Sequence, residues 1–166
     1  FCITAFGEDI VSDATYSNIT NCSAWNNGEN YSTTPLLSVQ SGGSLSVESS
    51  SFENNSLIFE NSPASGVGAQ GLIKVSGGSL SVKNSSFEGN LSATTPADGA
   101  AYPNTQGSAI YASSALNVEV SGTKFAGNKS SAKSVQGGAL AIFGGSYTLS
   151  NNVFDGNKSD AYMYQG

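Results

Sequence analysis

Short stretches in which apolar and polar residues alternate recur along the chain: Ser44-Leu45-Ser46-Val47, Ser79-Leu80-Ser81-Val82, Val118-Glu119-Val120 and Tyr147-Thr148-Leu149. Period-two alternation predicts strands with one buried face. Upstream of each lies a second short apolar segment, namely Leu36-Leu37-Ser38-Val39, Leu72-Ile73-Lys74-Val75, Ala109-Ile110-Tyr111-Ala112 and Leu140-Ala141-Ile142-Phe143. Turns rich in Gly and Ser, such as Ser41-Gly42-Gly43 and Ser76-Gly77-Gly78, separate the two. Downstream of each alternating stretch stands an aromatic residue that opens a Phe-x-x-Asn motif: Phe52 to Asn55, Phe87 to Asn90, Phe125 to Asn128 and Phe154 to Asn157. The motifs are 35, 38 and 29 residues apart. Tyr16, 36 residues before Phe52, takes the equivalent place in a degenerate first copy, with Ile19 in place of Asn.

Each unit reads strand, turn, strand, turn, aromatic strand. Its regular part is about twenty residues long, the size of one turn of a β-solenoid. The expected fold is all-β, a single-stranded right-handed parallel β-helix of about five coils that occupies residues 1–166 as one domain. Residues Cys2 to Phe6, Asp9 to Val11 and Tyr16 would supply the first coil. A lone coil cannot bury its own apolar face, whereas stacked coils bury each other's, so Phe52, Phe87, Phe125 and Phe154 are expected to form one interior column. Nearly all the variation in repeat length falls in Ser56 to Gln70, Leu91 to Gln106 and Lys129 to Gln136. These stretches hold much of the Pro, Ala and Gly and read as loops inserted at one corner.

Composition narrows the function. Only 11% of residues are charged, and with six Lys, no Arg, no His and twelve acids the net charge is −6. That excludes the basic footprint on which nucleic-acid binding depends. No apolar run approaches the ~20 residues of a membrane-spanning helix. Cys2 and Cys22 are the only cysteines, too few for a four-ligand zinc site. A disulfide between them would close a loop of about twenty residues, adding roughly 3 kcal/mol in the loop-entropy account, and would suit an oxidising compartment. Thiol titration of the unfolded, unreduced protein is therefore expected to find no free sulfhydryl; two would rule the bridge out.

The Phe-x-x-Asn repeats, together with Gly137-Gly138-Ala139-Leu140 and the near match Gly107-Ser108-Ala109-Ile110, resemble the repeats of the polymorphic outer-membrane proteins first described in chlamydiae. The likeness covers most of residues 34 to 157. It implies a surface-exposed β-helical passenger, several members of that family being adhesins.

β-Helices also include polysaccharide lyases and hydrolases, which use a basic proton acceptor with calcium-binding acids, or clustered Asp near a His. This chain has neither Arg nor His, and Glu8, Asp9, Asp13, Glu53, Glu88 and Asp155 are scattered or repeat-related. No catalytic, metal or cofactor site is expected. The repeat asparagines have two competing uses. Asn90, Asn128 and Asn157, preceded by Gly, suit an internal ladder at a tight turn, yet each also begins an Asn-x-Ser sequon, as do Asn54 and Asn84. With Asn18, Asn21 and Asn30 the sequons number eight. An Asn in an internal ladder cannot carry a glycan, so the ladder is assigned to the Phe-x-x-Asn residues and glycans, in a eukaryotic source, to Asn18, Asn21, Asn30 or Asn84. The ten Thr form no regular array of the kind that binds ice.

The expected function is a non-catalytic extracellular or cell-surface β-helix with a structural, adhesive or filament-forming role. The alternative is a carbohydrate-binding or carbohydrate-processing β-helix of the pectin-lyase type. Expected partners are copies of the chain or flanking coils end to end, and a host-cell receptor or surface glycan. Neither the start at Phe1-Cys2-Ile3 nor the stretch Asp160 to Gly166 reads as a polar cap, so the segment is expected to continue end to end.

Overall fold

Alternation of one apolar with one polar side chain suits a strand that shows one face to a core and the other to water, and the chain repeats that solution throughout. The computed structural model describes residues 11–15, 18–20, 23–26, 35–40, 42–62, 68–96 and 104–161. Among these residues all regular structure is β, and every strand pairing is parallel.

The strands stack into four main sheets in the manner of a β-solenoid. The first holds Val11–Thr15, Ser44–Glu48, Ser79–Lys83, Asn117–Ser121 and Ser146–Ser150. The second holds Asn18–Thr20, Ser51–Glu53, Ser86–Glu88, Lys124–Ala126 and Val153–Asp155. The third holds Ser23–Asn26, Ser56–Ser62, Leu91–Pro96, Lys129–Ala132 and Lys158–Ala161. The fourth has Leu37–Val39, Ile73–Ser76, Ile110–Ser113 and Leu140–Phe143. Asn104–Gln106 and Ser134–Gln136 form a further pair between the third and fourth.

Pairing in register turns each inward position into a column. Leu45, Leu80 and Val118 align in the first sheet, as do Val47, Val82 and Val120. Phe52, Phe87 and Phe125 align in the second and are fully buried. Their rings stack at centroid distances of 4.5 and 5.2 Å, within 11° of parallel. Leucine, valine and isoleucine from the first and fourth sheets close the core around them. Each such side chain contributes about 1.5–3 kcal/mol on burial.

Three expectations need correction. In the first copy it is Ile19 that pairs with Phe52, three positions later than Tyr16, and the first described strand is Val11–Thr15, where Asp9 to Val11 was expected. The constant offset of 33 between Val11 and Ser44, Ile19 and Phe52, and Ser23 and Ser56 fixes that register. Second, the stretches read as corner loops begin as strands of the third sheet. Chain length varies mainly beyond them: thirteen residues separate Pro96 from Ile110, and seven separate Ala132 from Leu140. Third, Phe154 stacks on Phe125 at 4.8 Å but remains 51% exposed, because its other face lies at the end of the described stack. Cys2, Tyr16, Cys22, Asn21 and Asn30 lie outside the described residues.

Where the chain enters the fourth sheet, Gly71, Gly107 and Gly137 hold φ of +55°, +59° and +77°. A Cβ on Gly107 would stand 2.3 Å from the Ile110 carbonyl oxygen. Gly107→Ala combines that clash with a left-handed backbone and is expected to cost about 1–3 kcal/mol, read as a lower urea midpoint at unchanged m.

Candidate functional site

The polar residues fixed by the repeat converge inside the stack, at the corners where one sheet hands over to the next. Between the second and third sheets, each corner is a residue with left-handed backbone, Asn54, Gly89, Gly127 or Gly156, followed by a ladder asparagine. The turn swings the following amide side chain inward, along the stacking direction. Asn55 Nδ2 donates to Asn90 Oδ1 at 3.0 Å, Asn90 Nδ2 to Asn128 Oδ1 at 2.8 Å, and Asn128 Nδ2 to Asn157 Oδ1 at 2.9 Å. Each acceptor oxygen also takes the backbone N–H of the preceding asparagine, at 3.0–3.1 Å. The second amide hydrogen of Asn90, Asn128 and Asn157 goes to the carbonyls of Phe52, Phe87 and Phe125. Asn90 and Asn128 have no exposed surface, so these sequons offer no nitrogen to a glycan.

The corner between the first and second sheets follows the same rule with other residues. Ser49, Asn84, Gly122 and Asn151 take the left-handed position, and Ser50, Ser85, Thr123 and Asn152 follow. Ser50 N–H donates to Ser85 Oγ, Ser85 N–H to Thr123 Oγ1 and Thr123 N–H to Asn152 Oδ1. Each of these side chains in turn donates to a carbonyl of the first sheet: Glu48, Lys83, Ser121 or Val120. This column escaped the sequence reading, although its signal is present: two residues before each Phe stands Ser, Ser, Thr or Asn.

A third column precedes the fourth sheet. Gln70 Nε2 donates to Gln106 Oε1 at 2.9 Å, and Gln106 Nε2 to Gln136 Oε1 at 2.5 Å. The sequence marks it as Gln followed by Gly in all three copies. Between the third sheet and this segment the interior mixes hydroxyl groups with the buried Leu57, Phe59 and Ala132 side chains. Thr94 Oγ1 and Thr105 Oγ1 lie 2.8 Å apart, Ser130 Oγ donates to the Gly137 carbonyl, and Ser108 Oγ to that of Gly138.

Outside the stack the chemistry is sparse. Glu53 pairs in register with Glu88, but Glu53 accepts a hydrogen bond from Ser51 and Glu88 one from Lys124 at 3.1 Å. Ala126 and Asp155 follow at the same position. Lys83–Glu119 and Lys129–Asp160 also join neighbouring repeats, the latter holding the Asp160 carboxyl below its ordinary range. Such exposed pairs contribute little to stability. Burial lowers the Lys74 ammonium from the usual lysine range. No group of three or more acids, Cys or His among the described residues is placed to hold a metal ion, and they include no helix long and apolar enough to cross a membrane.

Of the glycan candidates, Asn18 sits in a strand paired with Ser51. Asn84 is exposed in a left-handed corner, its side chain lying over the space where Gly122 lacks a Cβ.

No family model, curated protein or solved structure matches the chain.

Proposed function

We propose that this chain is a right-handed β-helix of about five coils, with length variation at the corner between third and fourth sheets, that serves as a non-catalytic structural or adhesive element outside the cell or on its surface. The observation that carries this reading is where the repeat directs its polar groups. Asn, Ser, Thr and Gln columns satisfy the backbone from within, and the outward positions that a repeat would need to build a reaction centre change from copy to copy: Glu53, Glu88, Ala126, Asp155. The likeness of the Phe-x-x-Asn and Gly-Gly-Ala-Leu motifs to polymorphic outer-membrane protein repeats supports a surface location and an adhesive use, with a host receptor or surface glycan as partner.

Fluorescently labelled chain is expected to bind cells or a glycan array saturably and to release no sugar from polyuronates or neutral polysaccharides. Depolymerisation that disappears in a Glu53→Gln or Glu88→Gln variant would replace this reading with the carbohydrate-processing one.

A further inference from the structure

The outer faces of the four sheets differ in chemistry, and the fourth sheet carries rings on its outside. Ile110 and Ala112 turn into the core, so Tyr111 between them faces outward, with Lys74 beside it on one neighbouring strand and Ala141 on the other. Ile142 packs against the core, so Phe143 after it faces outward as well, in register with Ser113. The two rings meet at a centroid distance of 5.8 Å and an angle of 48°, a corner rather than a stack. Phe143, 39% exposed, offers the ring surface, and Tyr111, at 8%, backs it. The other rings whose side chains are described, Phe52, Phe59, Phe87, Phe125, Tyr147 and Phe154, stand at inward positions of their strands. On the outside of the first sheet the matching positions hold Ser44, Ser46, Ser79 and Ser81.

Charge separates this face from the others too. Lys83, Lys124 and Lys129 each have a carboxylate oxygen within 3.7 Å. Lys74 has none among the described residues, and the other outward positions of its sheet, Ser38, Ser76, Ser113 and Ala141, bear no acid. Burial has stripped water from the Lys74 ammonium and lowered its pKa, so an anion brought to it would restore electrostatic stabilisation that solvent no longer supplies. A polar rim borders the rings. A Cβ on Gly137 would stand 3.3 Å from the outward Ala141 methyl, and the residue before that glycine, Gln136, is exposed.

We infer that the outer face of the fourth sheet binds a carboxylated saccharide, with Phe143 against the apolar face of a sugar ring, Lys74 at the carboxylate, and Ser113 and Gln136 at hydroxyls. This rests on the adhesive reading proposed above and names the chemistry of its partner and the face that takes it. A sugar ring presents a C–H face and polar edges, and an outward ring beside hydroxyl and amide groups matches both. Charge complementarity selects the acid. A cation on a face without carboxylates favours an anionic ligand over a neutral one, whereas Glu119 on the first sheet and Glu53 and Glu88 on the second disfavour it there.

Isothermal titration calorimetry of the 166-residue chain tests the inference with trigalacturonate and with sialyllactose, which carry the carboxylate along the chain and on a terminal sugar respectively. At least one should bind, and its neutral counterpart, methyl-esterified trigalacturonate or lactose, should bind about tenfold more weakly or not at all. Lys74→Gln and Phe143→Ser, both on the outer face, should each weaken binding about tenfold or more while the chain keeps its β circular dichroism. High salt should weaken binding to the parent chain and have little effect on the Lys74→Gln variant. Lys83→Gln, on the outside of the first sheet, should leave the affinity unchanged. No binding of either acid up to about 10 mM, equal binding of the neutral forms or of tetraglutamate, or indifference to both Lys74→Gln and Phe143→Ser overturns the inference. A chain that binds cells but neither acid also overturns it and leaves the adhesive reading in place. One that binds an acid through Lys74 and Phe143 and cleaves it supports the inference and removes the non-catalytic reading.

Discussion

Phe87→Ala is expected to lower the unfolding free energy by about 3–5 kcal/mol, the range for truncating a fully buried aromatic. Phe87 stands in the middle of the ring stack, 4.5 Å from Phe52 and 5.2 Å from Phe125, with no exposed surface. Removing its ring leaves a void with a phenyl face on two sides, and the in-register strands around it hold those rings apart. Phe154→Ala provides the internal control. It stacks on one neighbour and is half exposed, so its loss should be well under half as large. Urea unfolding followed by circular dichroism compares the two, and equal costs would show that the second sheet does not hold the rings as one column.

Asn90→Ala is expected to cost about as much, roughly 3–5 kcal/mol, although it removes less surface. The truncation takes the acceptor from the Asn55 backbone N–H and from Asn55 Nδ2, and the donor from the Phe52 carbonyl. Each buried polar group left without its partner costs about 1–3 kcal/mol. Asn90→Asp separates hydrogen bonding from shape. An aspartate keeps an acceptor for Asn55 but faces the Phe52 carbonyl and Asn128 Oδ1, both acceptors, and only its protonated form can donate to one of them. Burial among acceptors raises its pKa in the folded state above the unfolded value. The variant should therefore be most stable below the ordinary carboxylate pKa and lose stability as pH rises through the folded-state value. Chemical denaturation across pH checks this, and a flat profile would place position 90 outside the ladder.

The parallel all-β stack was legible because two patterns agree. Alternating stretches such as Ser44-Leu45-Ser46-Val47 and Ser79-Leu80-Ser81-Val82 recur at the spacing of the Phe-x-x-Asn motif, so one offset aligns both. The first copy misled because Val11-Ser12-Asp13-Ala14-Thr15 carries no apolar alternation to anchor it. Tyr16 then attracts the alignment by its ring, whereas backbone pairing selects Ile19. Two strands of the third sheet were hidden for a different reason, whereas Ser56–Ser62 buries Leu57 and Phe59 and did carry an apolar signal. In Leu91–Pro96 and Lys129–Ala132 the inward residues include Ser92, Thr94 and Ser130, buried against carbonyls and hydroxyls of the next segment. A strand whose core face is hydroxylic gives hydropathy nothing to read. The asparagines show in the sequence as a spacing, but their partners are backbone carbonyls, backbone N–H groups and side-chain amides of other repeats, which no motif records.

The connection between the third and fourth sheets is seven residues long in one repeat and thirteen in another, yet Ile110 still pairs with Leu140 and Ser79 with Asn117. Length here is a free parameter of the architecture. Doubling a flexible connection costs only about 0.6 kcal/mol of closure entropy, far less than disturbing one interior column. Along this single corner, insertions can accumulate, lengthen or be exchanged without retuning any strand register. The scaffold can thus stay constant while the surface it presents along one line drifts from repeat to repeat.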